Sequence, residues 1–313
     1  QAVFWKAAGR AAVLGAAARS ERVLRDCMQL PGGLTSLSSP AGSARALASG
    51  LATEPANAIK FWNLFRHFET QHTQSFCSIA TAAMLLNALR IPRPVDPAFA
   101  PYGYFTQANV LGECALAKPS HDPEHPLSVS FIATHGATLD EWAGYLSCWA
   151  TTRVVHASNS SVDAFRSQAR AALDSEPAGS GASDLAYIGI NFHRTALGQV
   201  GGGHMSPLAA YDARADRFLL LDVSRYKYPA YWVPTEALFA AMNTTDSTAG
   251  ASRGWVVVSR QSECWRATCW EAEVPAINDT AAPPALPPHD KWPAIKARLS
   301  TPPTRCREPR PTA

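Results

Sequence analysis

A cysteine at the head of a long apolar helix is where a protein can make a thiolate, and TQHTQSFCSIATAAMLLNAL places Cys77 there. A helix N-terminus carries about half a positive charge and open N–H groups, both of which favour the ionised sulfur. Gln71 stands upstream in the same segment. A cysteine in this place is also a good small buried hydrophobe, so the segment alone does not decide between the two. The stretch GGGHMSPLAAYDARADRFLLLDVSRYKYP adds what a nucleophile needs. His204 follows three glycines and leads a strand, and beyond the turn at ADR a second strand delivers Asp222. Sulfur, imidazole and carboxylate are the parts of covalent acyl transfer: one attacks, one moves the proton, one holds the ring. The three glycines predict close approach of backbone and substrate beside the imidazole. Taken singly, His204 reads equally as a satisfied loop histidine and Asp222 as a residue of a strand end.

The elements that must position these groups fall into two halves. SPAGSARALASGLA carries Ser and Pro ahead of a helical run. SIATAAMLLNALRI is a second helix, and TLDEWAGYLSCWA predicts a third, with Thr138 as N-cap and Glu141 closing a capping box. From LAYIGINF onward the pattern turns to β-branched and aromatic runs, MSPLAAYD, RFLLLDVSRY and WVVVSR, separated by turns. Helices first and antiparallel strands second predict an α+β fold. The domain is expected over residues 30–262. Residues 1–29 are Ala/Arg-rich and nearly free of acids, which suits either a targeting segment or an amphipathic helix. Residues 263–313 hold clustered prolines and read as an extended or disordered tail.

The 313 residues are 47% hydrophobic and 17% charged, a globular composition with room for a sizeable core. The net charge of +3 is spread along the chain. With no basic run interleaved with aromatics, nucleic acid is not an expected partner. No apolar run reaches the length of a membrane span. A soluble, cytoplasmic protein is the expectation, with a homodimer left open. The seven cysteines (27, 77, 114, 148, 264, 269 and 306) are odd in number and widely spaced in a chain too long to need disulfide stapling. They lack the dense clusters of a metal-sequestering protein, and Cys264 and Cys269 have no partners at zinc-site spacing, so no protein metal site is expected.

The segments TQHTQSFCSIA with LLNAL, YGYFTQANV, HGATLDEW, NFHRTALGQVGGGHMSPLAAYDARADRFLLLDVSRYKYPAYWV and LFAAMNTTDSTAGASRGWVVVS follow one another without large insertions. In this order they resemble the catalytic domain of phytochelatin synthases over about residues 30–260. That resemblance implies a papain-like fold with Cys77 as acylated nucleophile, His204 as general base and acid, and Asp222 orienting the imidazole. It implies that Gln71 and the Cys77 backbone N–H form an oxyanion hole, and that Arg194, Asp246 and Arg253 hold the γ-glutamyl head of glutathione. Such a head is a zwitterion, which calls for Arg on its carboxylate and a carboxylate on its ammonium.

The activity implied is transfer of γ-Glu-Cys from glutathione to glutathione or a growing phytochelatin. Glutathione hydrolysis is the runner-up and thiol metal sequestration the non-enzymatic alternative. No organic cofactor is implied; cadmium, zinc or copper would enter as thiolate complexes of the substrate or as activators. Two positions depart from the family pattern. Ser78 replaces the usual Gly and is expected to narrow the acyl pocket or donate a hydrogen bond, and Thr245 stands where relatives carry Val or Gly. The tail lacks the Cys-rich extension of plant relatives, so a strong metal-sensing tail is not expected.

Overall fold

In the computed structural model the described residues are 29–49, 51, 55–174 and 185–260, with side chains from residue 58 in the second helix. The expectations for residues 1–28 and for 261–313, including Cys27, Cys264, Cys269 and Cys306, lie outside them. A seven-stranded antiparallel sheet organises the rest. Its strands are β1 (Thr35–Ser36), β2 (Thr151–His156), β3 (Ala186–His193), β4 (Gly203–Asp212), β5 (Arg217–Leu220), β6 (Tyr231–Pro234) and β9 (Gly254–Ser259), in the order β1-β6-β5-β4-β3-β9-β2. A separate hairpin pairs β7 (Thr245–Asp246) with β8 (Ala251–Ser252).

Alternation along the strands feeds two cores, one on each face. Leu219, Leu221, Val256 and Val258 face one core, whereas Phe218, Leu220 and Trp255 face the other. On the first face lies α3 (Cys77–Ala88), whose residues after Cys77 are all buried. A helix apolar on every side belongs in the interior of a layer, and α2 (Pro55–Phe65) and α6 (Leu139–Leu146) contribute to the same core. Gly189 in β3 lets α6 approach, since a Cβ there would come within 2.3 Å of the Trp142 ring. The second face is covered by α7 (Val162–Asp174) and α8 (Thr235–Met242). The remaining helices are α1 (Pro40–Ala48), α4 (Glu113–Leu116) and α5 (Val129–His135). No described helix is long and apolar enough to cross a membrane.

The α+β layout matches the sequence pattern, and so do the details that rest on local chemistry. Ser39 caps α1 with Pro40 in its first turn. Thr138 and Glu141 form the expected capping box on α6. Two expectations are corrected. The first half is not purely helical: TTRVVH forms β2, which pairs with β9 from residue 254 onward. Nor does the chain do without stapling, because Cys114 in α4 and Cys148 just beyond α6 form a disulfide. It closes a loop whose ends are also held by Trp149, which donates to the Val110 carbonyl at 2.9 Å. Chain length removes the need for stapling in the domain as a whole, not in a locally loop-rich segment.

Candidate active site

Helix α3 delivers Cys77 as its first residue, and the cap residue Phe76 offers no side-chain acceptor, so the first-turn amides are not satisfied from that side. Thr81 ties this end of α3 to the sheet by donating to the Cys77 carbonyl at 2.7 Å and the Met205 carbonyl at 3.2 Å. Cys77 is the free cysteine among the described residues. Strand β4 supplies His204 near its start. The backbone beyond β5 continues the ladder through Leu221, which donates to the Pro207 carbonyl at 3.1 Å, and this carries Asp222 alongside His204. His204 Nε2 donates to Asp222 Oδ1 at 2.9 Å, with Ser206 Oγ at 3.0 Å from the same nitrogen. With Nε2 so held, Nδ1 is the ring nitrogen left as a base.

Cys77 and His204 line one cleft of about 320 Å³, together with Asn191, Asp246 and Arg253. Asp222 stands behind it, fully buried. The electrostatics of the three groups set desolvation against the thiolate expectation. Desolvation pushes the Cys77 thiol up, against the backbone N–H of Met205, the charge of Arg194 and the N–H of Ser78. Desolvation and the Arg194 charge bring His204 down to about 4, against the pull of Asp222. Burial by itself would raise the Asp222 carboxyl, yet the His204 and Arg194 charges and hydrogen bonds hold it well below the usual range. These shifts favour the neutral thiol and the neutral imidazole beside an ionised carboxylate. The helix terminus favours thiolate while desolvation opposes it, and Cys77 itself remains half-buried at the cleft.

Arg194 lies behind the cleft, paired with Asp222. Its guanidinium, 3% exposed, grips Asp222 with both arms at 2.9 Å and also donates to Gln199 Oε1 at 2.8 Å. Rings of Tyr228 and Phe192 flank it at 5.1 and 5.9 Å. It does not line the cleft. Arg253 does line the cleft. It lies 3.5 Å from Asp246 Oδ2 and donates to the Thr245 carbonyl at 2.7 Å, while its Nε is buried without a partner. The glycine run is shaped by these arginines rather than by the imidazole: a Cβ at Gly201, where φ is +125°, would meet the Arg194 chain at 3.0 Å, and one at Gly203 would meet Arg253 at 3.2 Å.

The Gln71 side chain is tied to its own segment and to that of Asp222. Its Nε2 donates to the Thr73 carbonyl at 2.6 Å and the Tyr226 hydroxyl at 3.2 Å, and its Oε1 accepts from Ser224 Oγ at 2.8 Å. Both amide hydrogens are thus engaged by protein groups, and Gln71 does not line the cleft. Ser78 does not narrow the pocket, for its side chain is fully buried and off the cleft. Its Oγ and the Tyr145 hydroxyl interact within the core without reaching hydrogen-bond geometry. Thr245 meets Arg253 through its backbone carbonyl.

Sequence reasoning missed several lining residues. Asn191 is 2% exposed in a strand otherwise apolar, and that isolated polar residue was the available signal. His121 and His135, on the wall opposite the sheet, gave none, because they come from separate segments.

A sulfur on a helix end sharing one cleft with an imidazole held by a buried carboxylate is the set of groups found in cysteine-nucleophile sites of the Cys–His–Asp type. The phytochelatin synthase family profile matches residues 25–255, and the chain belongs to that family. It is 33% identical over 204 residues to glutathione gamma-glutamylcysteinyltransferase 1 of Triticum aestivum, covering 64% of this chain and 36% of that one. With the glutathione gamma-glutamylcysteinyltransferase of Schizosaccharomyces pombe it shares 28% over 209 residues, 66% of this chain and 45% of the relative. The chain thus spans less than half the length of these curated relatives. The cysteine protease xylellain of Xylella fastidiosa aligns over 77% of this chain and 89% of its own at 14% identity, with a TM-score of 0.25.

Proposed function

We propose that the chain is a glutathione γ-glutamylcysteinyltransferase acting through a Cys77 thioester. The observation that carries this reading is the shared cleft, with Cys77 and His204 alongside the opposite charges of Asp246 and Arg253. Those charges suit the two ends of an amino-acid zwitterion, the ammonium on Asp246 and the carboxylate on Arg253, in exchange for their own long contact. Arg194 is not part of that pocket in this reading.

Because thiol and imidazole start neutral, attack and deprotonation go together. His204 Nδ1 takes the Cys77 proton as Sγ adds to the Cys–Gly carbonyl, and the oxyanion meets the first-turn amides of α3. Gln71 could join them only by releasing Tyr226, the longer of its two donor contacts. His204 then returns the proton to the departing glycine amine, leaving γ-Glu-Cys on Cys77. Attack by the α-amine of a second glutathione extends the chain, whereas water gives γ-Glu-Cys. Asp222, ionised and gripped by Arg194, stabilises the transient imidazolium. No organic cofactor enters; cadmium, zinc or copper would arrive bound to substrate thiolates.

Glutathione incubated with the purified chain should release glycine and yield γ-Glu-Cys oligomers, resolved by mass spectrometry. Cysteinylglycine, which lacks the γ-glutamyl head, should be a poor donor. Its cleavage at the same kcat/KM as glutathione would remove the Asp246–Arg253 pocket from the reading.

A further inference from the structure

We propose that the Cys114–Cys148 disulfide is a site of thiol–disulfide exchange with glutathione, attacked at Cys114, and that its opening loosens the helical wall of the cleft. The inference rests on the transferase reading above, because the reductant is then the substrate itself.

The two sulfurs differ in access. Cys114 is an exposed residue of α4, whereas Cys148 is half-buried beyond α6 and packs against the core. An attacking thiolate must reach the disulfide sulfur it bonds to, so access decides which of the two is struck. Glutathione is a small thiol and meets Cys114 from solvent. Its thiolate bonds to Cys114 Sγ, the bond to Cys148 breaks, and Cys148 leaves as a thiolate that takes up the proton glutathione lost. A second glutathione thiolate then attacks the glutathione sulfur of the mixed disulfide. Glutathione disulfide departs and Cys114 is protonated in its turn. Two glutathiones are oxidised and one protein disulfide is reduced.

The loop that this bond closes builds one wall of the cleft. His121 and residues 134–138 line it, and all of them lie between the two cysteines in sequence. Residues 117–128 form neither helix nor strand, so this part of the wall has no ladder of its own to hold it. It is stapled to α6 at two points instead. At the start of α6 the Glu141 carboxylate accepts the backbone N–H of His121 at 2.6 Å and that of Thr138 at 2.7 Å. Past the end of α6, Cys148 holds Cys114. Exchange removes the second staple and leaves the first, so the wall loosens without coming away. A looser wall must be ordered when ligand binds, and that entropic cost weakens binding. The oxidised chain would thus bind glutathione more tightly when the reduced pool is small, and the reduced chain less tightly when it is large.

The test uses the full chain with Cys77→Ser, which cannot form the thioester. The oxidised protein is incubated with reduced glutathione, trapped with iodoacetamide and mapped by peptide mass spectrometry. Glutathione should be found on Cys114 and the alkyl group on Cys148. S-methylglutathione carries the same γ-glutamyl head and no thiol, so calorimetry with it reads affinity without altering the redox state. Its Kd should rise at least about fivefold once a phosphine has reduced the protein, the low end of the usual coupling between two sites. Cys114→Ser with Cys148→Ser should bind at the weaker value and ignore the phosphine. Circular dichroism follows the fold in both, and loss of the native spectrum on reduction would show a staple of the whole domain and overturn the proposal. So would an adduct on Cys148, a disulfide that glutathione leaves closed, a Kd unmoved by reduction, or no binding in either state. Glycine release from glutathione by the wild-type chain reports separately on the transferase reading.

Discussion

The sheet side of the cleft and its helical wall handle polar groups in opposite ways. On the sheet side His204, Asp222, Arg194 and Gln199 satisfy one another inside the protein, with Arg194 and Asp222 almost wholly buried. On the helical wall and at the β7–β8 hairpin, Cys77, His121, His135 and Asp246 retain open atoms or long contacts. Charges that set a proton-transfer geometry are thus locked before substrate arrives. Groups that must meet substrate keep their bonding capacity for it. The same residue type falls on both sides: Arg194 orients a carboxylate of the protein, while Arg253 is placed to receive one from a ligand.

The largest effect should come from the open side's nucleophile. Cys77→Ser should reduce glycine release at least about 1000-fold, because the covalent step is lost. Retention of a tenth of wild-type activity would take Cys77 out of the mechanism and leave the comparison without a reactive centre.

On the locked side, Arg194→Gln should cost about 3–5 kcal/mol of unfolding free energy, since it strands a buried carboxylate. Its distinguishing readout is pH. The imidazole works neutral, and the Arg194 charge helps hold it near 4, below its ordinary 6.5. Wild-type kcat/KM should therefore persist well below pH 6.5. Native stability, present above that pH, should decline as pH falls toward 4, where the imidazole must take a proton. Without the Arg194 charge the acid limb of kcat/KM should move to higher pH, and Arg194→Lys should partly restore it. A limb that stays in place in Arg194→Gln would reduce Arg194 to packing.

Cys77, His204 and Asp222 were legible because each is announced locally: a helix start, a strand after glycines, a strand followed by a polar residue. The capping box of α6 was legible for the same reason. What escaped depends on distance in space. Arg194 and Asp222 are 28 residues apart, and a guanidinium in NFHR carries no sign of which carboxylate it will face. The desolvation that opposes the thiolate was not legible either, because a helix dipole can be inferred from sequence, whereas burial cannot. Cys114 and Cys148 likewise have no spacing that marks a disulfide.

That disulfide supports the segment between α4 and α6, which includes the wall bearing His121 and His135. It closes a loop of 34 residues in sequence separation, so Cys114→Ser with Cys148→Ser should lower stability by about 2–4 kcal/mol. Urea titration measures this. An unchanged midpoint would mean that Trp149 and its neighbours hold the wall unaided.

The smallest effect expected is at the hairpin, where the open contacts are sharpest. Arg253 is anchored by backbone carbonyls at Thr245 and Thr244, so removing it should leave the fold in place and cost only ligand contacts. Arg253→Ala should lower kcat/KM for glutathione by about 1.5–3 kcal/mol, the usual range for one charge-assisted hydrogen bond. Asp246→Ala should do the same through the ammonium. In each variant the discrimination between glutathione and cysteinylglycine should shrink by the same factor, because cysteinylglycine has no γ-glutamyl head to lose. If both substrates slow equally, Arg253 and Asp246 act on the catalytic geometry. The hairpin would then belong with the locked side of the cleft, and the division between the two walls would have to be redrawn.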